Sequence, residues 1–152
     1  MIDKPLIEKK LRRIEDLLRE LNSVEISAIE EFRNDVVTKR FIERNIELAI
    51  EQMIDICKHL VSGLDLKEPE TYSECLDLIA KEGIVAEQYL DTYKSMVRFR
   101  NLLIHAYEGV DDSITYSIYK QRLDDFRTFI KEIRGYLSNP DSSLQDIKIT
   151  NT

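Results

Sequence analysis

Apolar side chains recur every three or four positions along nearly the whole chain, and little interrupts them. Only four glycines and three prolines occur in 152 residues, and no Asn-Gly or Asp-Gly pair offers a hairpin turn. A helical period with so few breakers confines the chain to α-helices. Leu6, Leu11, Ile14, Leu17, Leu18 and Leu21 make the first stripe, with Lys9, Arg12, Arg13, Glu15 and Glu20 opposite. Asn22-Ser23 ends that helix, and a short one is expected over 25–33. Asn34-Asp35 caps a long helix reaching about Leu60. Its stripe (Val36, Phe41, Ile46, Leu48, Ala49, Ile50, Met53, Ile54, Cys57, Leu60) is wide enough for a central helix touching several neighbours.

Ser62-Gly63 is a stop signal and Lys67-Glu68-Pro69 a linker. Thr71, with Glu74 three positions on, forms a capping box for a helix reaching Ala80 or Lys81 and ended by Gly83. A further helix is expected over 87–106, with Gly109 as its stop. One last helix over 112–137 turns Ile118, Leu123, Phe126, Phe129, Ile130 and Ile133 inward, and the polar stretch 138–152 is expected to fray. The expected architecture is all-α: one domain over 1–137, an up-down bundle of four to five helices with short connections.

The net charge of −7 argues against a protein that coats nucleic acid without regard to sequence, yet leaves room for a small cationic site. No apolar run is long enough to cross a bilayer, and Met1-Ile2-Asp3-Lys4-Pro5 lacks the apolar stretch of a signal peptide, so a cytoplasmic protein is expected. Cys57 and Cys75 match no metal-ligand spacing and read as reduced core thiols.

Chemistry concentrates in Arg100-Asn101-Leu102-Leu103-Ile104-His105-Ala106-Tyr107. A fixed cation, a carboxamide, an imidazole and a phenol fall within about two helical turns. At roughly 100° per residue, Lys94, Arg98, Asn101 and His105 line one edge of an ideal helix, while Arg100 lies roughly 140° from His105. Those two meet only through the length of the arginine, distortion at the helix end, or a second copy of the helix. RNA carries its own nucleophile, the 2′-hydroxyl, so a histidine that moves a proton and an arginine that stabilises charge on phosphorus suffice for metal-free cleavage. The same residues also suit structural tasks: a histidine in the last turn favours the helix dipole, and an arginine pairs with a neighbouring carboxylate. Spacing does not choose between these readings.

Arg100-Asn101-X-X-X-His105-X-Tyr107 resembles the R-X4-H-X-Y signature of the HEPN superfamily, and the chain resembles most closely its HepT-like branch. The likeness extends to Arg40-Phe41-Ile42-Glu43-Arg44 through Ile54-Asp55-Ile56-Cys57-Lys58-His59, to Thr71-Tyr72-Ser73-Glu74 through Gly83-Ile84, and to Ile114-Thr115-Tyr116 and Leu123-Asp124-Asp125-Phe126. It implies a HEPN-like helical bundle that dimerises through the motif-bearing helix. It implies further the toxin half of a type VII-like toxin–antitoxin module, a metal-independent endoribonuclease needing no cofactor. Arg100 and His105 match the catalytic residues and Asn101 a polar organiser. The implied partner is an MNT-type nucleotidyltransferase antitoxin, which transfers AMP from ATP to the tyrosine matching Tyr107. Arg98 departs from the pattern, since relatives often carry glycine there; it adds positive potential and rivals Arg100 as the phosphate ligand. His59 is expected to be a structural hydrogen-bonding residue, with an active-site role as the alternative, and Asp55 a paired or solvated carboxylate. The competing function is a non-catalytic subunit that only binds, or is modified by, a minimal nucleotidyltransferase.

Overall fold

The computed structural model describes residues 1–106 and 108–139, and every regular element among them is an α-helix. α1 spans Lys4–Asn22, α2 Ile29–Asn34, α3 Val36–Gly63, α4 Tyr72–Lys81, α5 Glu87–His105, α6 Asp112–Gln121 and α7 Leu123–Ser138. The part of the polar tail from residue 140 on falls outside the described residues.

Local chemistry sets most of these ends. Asp3 accepts from Leu6 N at 3.1 Å, and Pro5 sits in the first turn of α1, where a missing N–H has no intrahelical acceptor to lose. Asp35 accepts from both Thr38 N (3.0 Å) and Thr38 Oγ1 (2.7 Å), hydrogen bonds that hold its carboxyl below the usual range. Thr71 accepts from Glu74 N at 3.0 Å, but the Glu74 carboxylate reaches back to Glu70 N at 3.3 Å, one residue earlier than a regular capping box. Gly83, at φ 76, closes α4: its N–H donates to Ala80 O and the next N–H, of Ile84, to Ile79 O.

Three ends differ from the sequence expectation. The helix expected over 25–33 begins only at Ile29, because α6 claims the upstream backbone: Tyr119 OH donates to Val24 O and Lys120 Nζ to Ile26 O at 2.7 Å. Gly63 is the last residue of α3 rather than a breaker. A Cβ there would stand 3.0 Å from both Ile2 Cα and Met1 O, so the glycine admits the N-terminal backbone; the left-handed residue after α3 is instead Asp65, φ 56. The helix expected over 112–137 is two helices, parted at Arg122 (φ −120, ψ 6). The break lets α6 lie on α2 and α3 while α7 packs on α1 and α5, which one straight rod cannot do. A short α2 and this break take the helical segments among the described residues to seven, above the four to five expected.

α3 is central, touching α1, α2, α4, α5 and α6. The core it organises includes Ile7 (not Leu6), Leu11, Ile14, Ile42, Ile46, Met53 and Leu60 with Tyr93, Phe126 and Phe129. Tyr93 and Phe129 meet edge to face, centroids 5.2 Å apart. Buried Asn45 donates to Leu17 O and Glu20 Oε1, both at 3.3 Å, fastening α3 to α1. Arg134 of α7 clasps Glu8 and Glu15 of α1 with bonds of 2.7 to 3.3 Å, which holds the Glu15 carboxyl below its usual range. Cys57 and Cys75 are buried free thiols, and the neighbouring Cys75 side chain together with burial pushes the Cys57 thiol up. Among the described residues no helix is long and apolar enough to cross a membrane.

Candidate active site

α5 carries the motif, and its two halves are held differently. Its N-cap, Ala86, has no side chain to satisfy the first turn. A carboxylate from α7 substitutes: Glu132 accepts from Ala86 N at 2.7 Å and from the buried Tyr93 hydroxyl. Burial first, and then this carboxylate, push the Tyr93 phenol far above its ordinary value, so it stays a donor. Leu90, Tyr93, Val97 and Phe99 anchor the helix in the core.

Beyond Phe99 only Leu103 still packs against the core, and its apolar neighbours turn to solvent. Leu102 is 50% exposed and Ile104 37%, joined by Ile114 of α6 at 44%. Arg100, in contrast, folds inward towards α3 and α4, its side chain only 19% exposed. One guanidinium nitrogen donates to Asn101 Oδ1 at 3.2 Å and the other faces Glu51 Oε1 at 3.4 Å, while the carbon between them lies 5.8 Å from the Tyr72 ring centre. Its Nε is buried and has no hydrogen-bond partner. His105, the last residue of α5, is exposed and has no hydrogen-bond or ion-pair partner among the described residues.

The edge drawn on an ideal helix is thus taken apart by its neighbours. Lys94 pairs with Asp77 of α4 at 2.6 Å, and Asn101 turns to Arg100. Arg98 is exposed, donates to Ser95 Oγ at 2.9 Å, and borders a groove of about 550 Å³ between α5 and α6 floored by Phe99 and Phe126. Arg98 and Arg100 therefore serve different flanks of α5. Asp55 pairs with Lys10 at 3.3 Å, as a paired carboxylate should, whereas His59 is exposed without a hydrogen bond and is not the structural bonding residue expected. Tyr107 lies outside the described residues. Among those described, no three His, Cys, Asp or Glu side chains gather into a metal cage.

Sequence reasoning did not single out Glu51 or Tyr72 as site residues. Both reach Arg100 only through tertiary packing; the one available hint was an exposed aromatic beside the Thr71 cap.

Fold and site together define an all-helical protein with a braced arginine and a free histidine on one helix. Residues 7–133 match the Ribonuclease HepT-like family, and the chain belongs to it. It is 26% identical over 105 residues to the mRNA nuclease HepT of Shewanella oneidensis, covering 69% of this chain and 79% of that one. It is 23% identical over 136 residues to the tRNA nuclease HepT of Aphanizomenon flos-aquae, covering 90% and 92%. The fold is shared with the cytosolic protein YutE of Bacillus subtilis (TM-score 0.79, 24% identity, 91% and 93% covered). It is shared also with the tri-AMPylated Shewanella oneidensis HEPN toxin in complex with MNT antitoxin (TM-score 0.79, 24% identity, 89% and 99% covered).

Proposed function

We propose that this chain is the toxin of a toxin–antitoxin pair and cleaves RNA without a metal. The observation that carries the reading is Arg100: a guanidinium held by Asn101 and Glu51, with a buried Nε still unpartnered, on the same helix as an exposed histidine. Preorganised positive charge is what a phosphorane-like transition state needs, since no reorganisation is required when charge develops. The RNA 2′-oxygen attacks phosphorus and the 5′-oxygen leaves. His105 moves a proton in that exchange, and Arg100 stabilises the added charge. Arg98, on the other flank, attracts the strand rather than reaching the reacting phosphate.

The active form is a homodimer through α5. Exposed Leu102, Ile104 and Ile114 supply an apolar patch that a second copy covers, and pairing brings together two sets of groups that diverge on a single helix. The partner is an MNT-type nucleotidyltransferase, as in the complex of the Shewanella toxin. It neutralises the chain by AMPylation: the Tyr107 phenol oxygen bonds to the α-phosphorus of ATP, pyrophosphate leaves, and the phenol proton is released. An anionic adduct two residues from His105 then repels and obstructs the RNA phosphate.

The test is cleavage of single-stranded RNA in the presence of a chelator by wild type, Arg100→Ala and His105→Ala. Intact mass after incubation with the partner and ATP completes it, with Tyr107→Phe as the control. Cleavage abolished in both site variants supports the reading. A partner-dependent mass gain with no cleavage by wild type would leave only the non-catalytic subunit.

A further inference from the structure

Arg100 and His105 account for the reacting phosphate but not for how a nucleotide is held beside it. Next to Arg100, at the start of α4, stands Tyr72, 38% exposed although it is a large aromatic. Two cations attend its ring: Arg100 with its guanidinium carbon 5.8 Å from the centre, and Lys58 with its Nζ 5.9 Å away. Lys58 is exposed and makes no ion pair among the described residues, in a chain where most cations near α3 do. Tyr72 and Lys58 also line a cavity of about 390 Å³ between α3 and α4, which Ser62 and Thr71 supply with hydroxyls. That volume lies in the range of small-ligand sites.

We propose that Tyr72 and this cavity form a nucleobase subsite for single-stranded RNA, with Arg100 and Lys58 holding the phosphates on either side. The inference deepens the ribonuclease reading by naming where the substrate strand lies. An unstacked base finds an aromatic face on Tyr72, and stacking of this kind contributes about 1–3 kcal/mol per base. Charge sets the orientation. Asp65, Glu68 and Glu70 line the same cavity and repel phosphate, so the base enters while the backbone stays with the cations Arg100 and Lys58. A duplex keeps its bases stacked and cannot use the subsite, so it selects single-stranded segments.

The test is binding of a labelled, uncleavable 2′-O-methyl single-stranded RNA to the full chain, read by fluorescence anisotropy, with thermal unfolding to check each variant. Tyr72→Leu is expected to weaken binding about 5- to 150-fold, and Tyr72→Phe by no more than about 2-fold, because the ring carries the effect. Lys58→Gln is expected to lower the slope of log affinity against log salt by about 0.7, one phosphate contact on a single strand. Tyr72→Leu binding like wild type overturns the subsite. So does Tyr72→Phe losing as much as Tyr72→Leu, since the hydroxyl would then be acting through Arg100. The probe cannot be cut, so the two readings fail separately. Tyr72-dependent binding without cleavage of ordinary RNA sinks the ribonuclease alone, and a wild type that cleaves RNA but loses nothing with Tyr72→Leu sinks the subsite alone.

Discussion

The two halves of α5 differ in what they leave unfinished. In the first half the buried polar groups are satisfied from within the chain: Tyr93 is fully buried, its hydroxyl has Glu132, and Glu132 also closes the helix start. In the second half Leu102 and Ile104 face solvent and, among the described residues, Arg100 Nε lacks a partner and the His105 side chain has none. A stable scaffold and an incomplete surface on one rigid rod let a site be demanding without endangering the fold. Arg100 also differs from the arginine that pins α7 to α1. Arg134 makes short bonds to two carboxylates, whereas Arg100 makes one long contact to Glu51 and a bond to Asn101, and its buried Nε has no partner.

If that division is right, changes in one half should alter activity and changes in the other stability. The largest effect is expected from His105→Ala, which lowers RNA cleavage by about 10²–10⁴-fold while the thermal midpoint stays put. A variant that unfolds instead would erase the contrast. Next comes Tyr93→Ala, expected to remove about 3–5 kcal/mol in urea unfolding, through a cavity against Phe129 and the loss of one of the two donors to Glu132. Glu132→Gln keeps the shape and loses the charge. About 1–3 kcal/mol should go, and cleavage per folded molecule should hold. The smallest effect concerns Arg134→Ala, about 1 kcal/mol after allowance for its exposure. Its pH dependence fixes the cause. The folded state holds the Glu15 carboxyl below its ordinary value of 4.5, so the stability contributed is present above that pH and fades as pH falls through the lowered value. The difference between wild type and variant should therefore shrink in the acid range; a difference constant down to pH 2 would assign it to packing.

Legibility followed distance along the chain. Asp35, Thr71 and Gly83 act on backbone within a few residues, so their caps could be read directly from sequence. The break at Arg122 could not. Thr115, Tyr119, Leu123, Phe126, Ile130 and Ile133 are spaced by three or four and are all buried, so the helical period runs through the break without a ripple. Nor could the late start of α2, set by two α6 side chains more than ninety residues away. At the site, ideal-helix geometry separated Arg100 from His105 but assigned Lys94, Arg98 and Asn101 to one shared edge. Long flexible side chains follow their partners rather than their Cβ direction, and those partners sit on α4 and within α5 itself. Glu51 and Tyr72 were invisible as site residues for the same reason.

The carboxylate that closes the start of α5 belongs to residue 132, forty-six positions further along the chain than the backbone N–H it accepts. During synthesis the motif therefore leaves the ribosome well before the group that completes its helix. A growing chain that has just exposed Arg100 and His105 carries them on a helix with an unsatisfied first turn and an uncovered Tyr93. For a member of a ribonuclease family, made on a messenger surrounded by RNA, the order of the helices places the motif in the chain before the group that completes its helix.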